Sequence, residues 1–201
     1  MGNSQTIISI GREYGSGGHV IAEELAKRLG LPLYDRNILD EVAAEKGVSA
    51  ETLRKYDEKP HKLFLSRSVN GYHTSAEVNV AYLQFDYLKK KAAEGESFVV
   101  VGRCAEGIFL NNPSLISVFV LGNKDAKCAR IMEKFKLSEA EALEKMRRHD
   151  EYRKRYHNNF CEDKWGDSRT YDLCINSSFL GIDETTNVVE HFIRTRMGQN
   201  A

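Results

Sequence analysis

Apolar residues fall along this chain in two alternating rhythms. Thr6-Ile-Ile-Ser-Ile10 is a short, nearly continuous apolar run that stops at Gly11, the pattern of a buried strand. Val20, Ile21, Leu25 and Leu29 then recur at helical spacing and end at Gly30, a residue suited to the left-handed turn that closes helices. Leu33-Tyr34 predicts a short second strand ending at Asp35. Residues 36–94 read as helical throughout. Ile38, Leu39 and Val42 mark one helix there, and Ser49 caps a second carrying Leu53 and Tyr56. Pro60 breaks the chain before Leu63–Leu65, and Val78, Tyr82, Phe85 and Leu88 mark a longer helix ending near Gly95.

Ser97–Val101 is a third strand whose unbroken, Val-rich character suits a parallel strand covered on both faces. Gly102-Arg-Cys-Ala-Glu106 opens a helix to Leu110, and Leu115–Leu121 is a fourth strand. Asn123 caps a helix over 124–134, and Ser138-x-x-Glu141 is a capping box for a charged helix reaching about Tyr156. Residues 157–170 read as loop, Tyr171–Asn176 as a fifth strand, and Asp183 starts a last helix to about Arg196. Such alternation predicts an α/β fold with a parallel sheet. The stretches 36–94 and 138–170 are expected as lobes inserted over the sheet's carboxyl edge, where ligands bind in open sheets of this kind.

A chain of 201 residues suits one domain. Its 29 Lys and Arg balance 29 Asp and Glu, so net charge gives no sign of duplex nucleic acid or an acidic membrane as partner. The longest apolar runs fall far short of the roughly 20 residues a membrane helix needs, and Met1–Gln5 has no basic flank of a secretory signal. Cys104, Cys128, Cys161 and Cys174 show neither CxxC pairing nor zinc-ligand spacing with His, which predicts reduced thiols in a cytoplasmic protein.

The Gly-rich turn Gly11–Gly18 lies between the first strand and the first helix. Its glycines let successive amides turn toward an anion, and the helix N-terminus adds partial positive charge. The phosphate-loop pattern GxxxxGK[ST] is not met: with Gly17 as its second glycine, Gly18 stands at the lysine and His19 at the hydroxyl. Arg103 follows the third strand in the same way and offers a forked donor to phosphate; the plain alternative is a pair with Glu106. Arg147, Arg148, Arg153, Lys154 and Arg155 crowd a helix interrupted by Asp150 and Glu151. That run is either a solvated face or a lid whose arginines neutralise a transferring phosphoryl group. Asp35 either caps the helix starting at Arg36 or helps hold a substrate or Mg²⁺. Tyr152 and Tyr156 suit packing, and Trp165 suits anchoring of its loop.

Taken in order, Ile8–Gly18, Leu31-Pro-Leu-Tyr-Asp35, Val99–Ala105 and Tyr171–Ser178 resemble the cytidylate kinase-like family, a branch of the P-loop nucleoside monophosphate kinases. The resemblance runs from about residue 6 to 195. It implies a three-layer α/β/α P-loop kinase with a five-stranded parallel sheet. A core of 1–35 and 95–201 would carry a helical nucleoside monophosphate-binding insertion near 36–84 and a lid near 145–170. It further implies ATP and Mg²⁺ as cofactors and nucleotides as substrates, CMP or dCMP foremost. Gly15, Ser16, Gly17, Gly18, Arg12 and His19 would hold ATP phosphates. Asp35 and Arg103 would meet the substrate. Arg12, Arg103, Arg148 and Arg153 would be catalytic, with Asp150, Arg153 and Arg155 in the lid. Asp172 and Asn176 would be structural. Cys104 replaces the family's aspartate after the Gly-Arg pair, and the loop lysine is absent, with Arg12 and His19 nearest to supply its charge. Two further readings stay open: a kinase of another small-molecule acceptor, and a nucleotide-binding regulatory protein. Base specificity and oligomeric state are not fixed by these residues.

Overall fold

A computed structural model describes residues 5–57, 68–69, 72–73 and 75–198. Five strands form one parallel sheet: β1 (Ile7–Arg12), β2 (Leu33–Tyr34), β5 (Phe98–Val101), β6 (Leu115–Leu121) and β7 (Leu173–Asn176), ordered β2-β5-β1-β6-β7. Ile10 pairs with Val101 on one side and Val118 on the other, so the apolar runs lie side by side. The chain leaves β1 toward β2 and leaves β6 toward β7, in opposite directions. That divergence opens a crevice at the carboxyl edge beside β1.

Alternation along each strand feeds two cores. Ile8, Ile10, Val99, Val101, Val118 and Val120 face α1 (Gly18–Leu29) and α8 (Ser177–Arg196), meeting Ile21, Leu25, Val189 and Ile193. Ile7, Phe98 and Val100 face the other way. They pack on α2 (Ile38–Lys46), α3 (Ala50–Arg54), α4 (Ala76–Ala93) and α5 (Ala105–Ile108) through Leu39, Val42, Leu53, Val80 and Leu88. These side chains are almost wholly buried, and each removes about 1.5–3 kcal/mol worth of apolar surface from water. A helical hairpin, α6 (Lys124–Phe135) and α7 (Glu139–Phe160), closes on Cys128, Ile131, Ala142 and Met146, with Tyr14 of the Gly-rich turn against it. The Ser138–Glu141 capping box is formed.

The three-layer parallel architecture agrees with expectation, and several boundaries move. Residues 36–94 are not helical throughout, because a two-stranded antiparallel pair, β3 (Ser68–Val69) and β4 (Tyr72–His73), interrupts them. Pro60, His61 and Leu63–Leu65 lie outside the described residues. After β5 the helix is one turn only, since Gly102, Arg103 and Cys104 all take positive φ (71°, 59° and 54°). Helix α7 continues to Phe160, so His157 is helical and buried rather than in a loop. The fifth strand starts at Leu173, and α8 starts at Ser177, capped by Asn176, with a kink at Gly181 instead of a start at Asp183. Trp165 anchors its segment edge-on to Phe119, ring centres 5.3 Å apart. Tyr156 is buried and Tyr152 is exposed.

Candidate phosphate-binding site

The carboxyl end of β1 runs directly into the turn Glu13–Gly17 and then α1. Gly15 and Gly17 hold φ of 86° and 85°, values a Cβ would strain. Helix α1 has no side-chain cap and no acidic residue in its first turn, so its leading amides carry unopposed positive potential. Ser16 is buried and its hydroxyl donates to the Glu13 carbonyl at 2.9 Å. It therefore shapes the turn from within, and its amide also donates to the Glu13 carbonyl at 3.3 Å.

Groups from outside fix that turn. The Tyr14 amide donates to Asp150 at 2.7 Å, and Arg153 donates to the Arg12 carbonyl at 3.3 Å. Arg130 donates to the Gly15 carbonyl at 3.1 Å, and Ser177 to the Ser16 carbonyl at 2.6 Å. Glu13 accepts from the Gly122 amide at 3.0 Å and from Lys127 at 2.8 Å. Burial pushes the Asp150 carboxyl up, while its bond from Tyr14 and the charge of Arg153 oppose that. The His149 ring stacks on Tyr14 at 4.1 Å, nearly parallel. Burial first, then Arg153, Lys145, Arg148 and Arg36, hold its pKa down to about 4. Arg153, Arg36 and Arg148 act on Tyr14 of the turn as well.

Arg12 occupies the space where a loop lysine would begin. A Cβ on Gly18 would stand 2.6 Å from the Arg12 Cβ, and a Cβ on Gly102 would stand 2.2 Å from its Nη1. The side chain therefore runs from the start of α1 to the turn after β5, through a slot that two glycines leave open. Arg103 lies beside it, only 2% exposed. Its guanidinium takes Asp57 in a bidentate pair and reaches the Asp35 carbonyl at 3.4 Å. The expected alternative partner, Glu106, is buried elsewhere against Ser9, Tyr171 and His157, so that pairing is corrected to Asp57.

Asn37 stands at the N-cap of α2 without a side-chain cap bond, and Asp35 supplies a capping bond just before it. Asp35 Oδ1 accepts from the Asn37 amide at 2.9 Å, and its Oδ2 meets His19 Nε2 at 2.8 Å. Burial raises the Asp35 carboxyl, but the Asn37 and His19 hydrogen bonds and nearby Arg103 outweigh it and hold it low. His19, the second residue of α1, is thus joined to Asp35 at the end of β2 and lies 3.4 Å from Glu23. Of the residues expected in a lid, Asp150 and Arg153 meet the turn. Arg148 is exposed at its rim, and Arg155 faces solvent with Glu151 at 3.7 Å. Asp172 ties β6 to β7 by accepting from Ser117 at 2.8 Å, a framework role, as Asn176 has in capping α8.

Glu13, Tyr14, Asp57, Lys127, Arg130, His149 and Ser177 were not singled out from sequence. Only Lys127 and Arg130 carry a readable signal, two cations three apart on one helix face. The donor set fits a polyphosphate: turn and helix amides, Arg12 and Arg153 would hold it. Among the described residues no three acidic, His or Cys side chains converge as a metal site, so a Mg²⁺ ion would be held mainly by phosphate oxygens and water.

Comparison with known proteins agrees with this geometry. A curated "Cytidylate kinase" of Pyrobaculum islandicum is 23% identical over 193 residues, covering 96% of this chain and 95% of that protein. The crystal structure of an uncharacterized protein from Eubacterium ventriosum superposes with TM-score 0.75 at 42% identity, covering 95% of this chain and 99% of that one. Shikimate kinase from Bacteroides thetaiotaomicron shares the fold at TM-score 0.55 and 13% identity, covering 96% and 98%. The model of the cytidylate kinase-like family matches residues 7–179. With its parallel five-stranded sheet, glycine turn and bordering arginines, the chain belongs to the cytidylate kinase-like family.

Proposed function

We propose that this chain is a phosphotransferase that moves the γ-phosphoryl group of ATP to a nucleoside monophosphate, CMP or dCMP. The observation that carries the reading is the Arg12 side chain in the slot between Gly18 and Gly102. It sets a permanent cation at Gly102, on a side chain that starts beside the glycine turn, where the common P-loop pattern would carry a lysine. Phosphoryl transfer requires positioning and charge neutralisation more than covalent chemistry from the protein. Arg12, Arg153 and the rim arginines Arg148 and Arg36 supply that neutralisation in this account. Arg103 meets the acceptor phosphate after exchanging Asp57 for it. Phe179, 77% exposed just beyond Ser177, offers an aromatic face for a nucleobase. Mg²⁺, when bound with ATP, supplies further charge neutralisation.

A second reading rests on a separate observation. An acceptor that is already anionic needs no general base, yet His19 and Asp35 form a hydrogen-bonded pair beside the turn. That pair favours an acceptor hydroxyl, whose proton must be removed. The test is ADP release from ATP and Mg²⁺ with CMP, dCMP, UMP, AMP and GMP and with phosphate-free, hydroxyl-bearing small molecules, each against a no-acceptor control. Turnover confined to CMP and dCMP supports the first reading. Turnover with hydroxyl-bearing small molecules alone supports the second, and ATP binding without any turnover supports a nucleotide-binding regulator.

A further inference from the structure

Behind the glycine turn lies a group of buried polar side chains that phosphoryl transfer does not use. Glu106 is fully buried on α5 and accepts from Ser9 at 2.9 Å and Tyr171 at 3.1 Å. His157, also buried, brings Nε2 to 3.0 Å from Glu106 Oε1, an ion-pair contact rather than a well-aligned hydrogen bond. At the C-cap of α7, the Cys161 amide donates to the His157 carbonyl at 2.9 Å. The Cys161 thiol lies on Gly107, where a Cβ would come within 2.5 Å of its sulfur. It also packs against Cys104, one turn before Gly107, whose thiol hydrogen-bonds to it.

The two sulfurs differ in access and in charge. Cys104 is buried, whereas Cys161 is partly exposed. Cys161 lines an open cavity of about 750 Å³ together with Gly107, Phe109, Pro113, Glu162 and Asp163. The Cys104 thiol and the His157 cation stabilise the Cys161 thiolate and bring its pKa to about 6, against the opposing effect of burial. Burial works against the His157 cation as well, but its contacts with Cys161 and the Glu106 carboxylate raise it to about 10. Cys174, the other partly exposed cysteine, is shifted upward by burial and by the charge of Asp167. Cys128 is buried between α6 and α7.

We infer that Cys161 is an oxidative modification site, with His157 as its positioning residue and Cys104 as its resolving thiol. The oxidant class is a small neutral peroxide, since Glu162 and Asp163 at the cavity wall repel anions. The thiolate attacks one peroxide oxygen, the O–O bond breaks, and hydroxide leaves to become water by taking a proton. Cys161 is then a sulfenic acid. Cys104 loses its proton and attacks that sulfur, the S–O bond breaks, and a second water leaves. One peroxide is thereby reduced to two waters, and two thiols are oxidised to one disulfide. The bond ties the end of α7 to the turn that carries Arg103.

The test treats the reduced full-length chain with one equivalent of hydrogen peroxide at pH 7, followed by non-reducing peptide mass spectrometry. The expected product is a Cys104–Cys161 linked peptide two hydrogens lighter, formed before any change at Cys174 or Cys128. Cys104→Ser should stop the reaction at a Cys161 sulfenic acid that dimedone captures. His157→Gln should slow iodoacetamide alkylation of Cys161 at pH 7 by about tenfold. The pH profile of that alkylation in the unaltered chain is an independent readout, with its midpoint expected near 6. Oxidation of Cys174 as fast as Cys161, or an alkylation midpoint in the ordinary thiol range, would overturn the inference.

Discussion

Position 18 is a glycine, and Arg12 lies in the space a side chain there would need. If Arg12 acts through its charge, Arg12→Ala should lower kcat/KM for ATP by about 10- to 150-fold, the range for losing charged hydrogen bonds of ~1.5–3 kcal/mol. Arg12→Lys should recover much of that loss, and equal effects of the two would mark Arg12 as structural. Gly102→Ala tests the slot itself. Its φ of 71° and the 2.2 Å approach of Arg12 Nη1 predict displacement of that guanidinium. Thermal unfolding should show a loss of about 1–2 kcal/mol from the left-handed backbone alone, with turnover falling in parallel. Arg12, Gly15–Gly18, Arg103, Asp150 and Arg153 were legible because each sits at a strand end or on a helix with a clear period. Asp57 was not, because its importance comes from Arg103, 46 residues away.

Helix α7 shows how elements escape a local reading. Its polar composition predicted an end near Tyr156, yet it continues because His157 and Phe160 find buried partners in Glu106 and Phe85. Two-residue strands such as β3 and β4 carry no period at all, so nothing in 68–73 distinguished them from helix. The last helix was expected to start at Asp183, whereas Asn176 already caps α8 and the helix tolerates a kink at Gly181. The packing of α7 on the glycine turn depends on pH through His149. Its pKa is held down to about 4, so the unfolded chain takes up its proton first as pH falls. Stability from this group is therefore complete above the unfolded value of about 6.5 and lost as pH falls toward 4. Denaturant unfolding should show that loss in the unaltered chain, and His149→Gln should flatten the curve between pH 6.5 and 4. A curve unchanged by the substitution would remove His149 from the hairpin's pH response.

For the whole molecule, the bidentate pair of Arg103 with Asp57 joins the core sheet to the segment that follows α3. In the proposed reaction that pair is exchanged for an acceptor phosphate. Arg103→Ala should weaken nucleotide affinity by about 1.5–3 kcal/mol, measured by titration calorimetry, and should also lower stability by stranding the Asp57 carboxylate. Asp57→Asn should leave the fold cooperative and keep nucleotide affinity, since Arg103 remains. Unchanged affinity in Arg103→Ala would place that arginine outside the site. The parallel sheet and its five strands were legible because buried parallel strands read as unbroken apolar runs between helical periods. The internal layout of residues 36–94 was not, since short elements leave little pattern.

Steady-state ADP production from ATP and Mg²⁺ across the acceptor panel tests the central claim most directly. The account predicts turnover with CMP or dCMP well above the no-acceptor rate, achieved without a loop lysine. Measurable ATP binding with no turnover of any nucleoside monophosphate would contradict it.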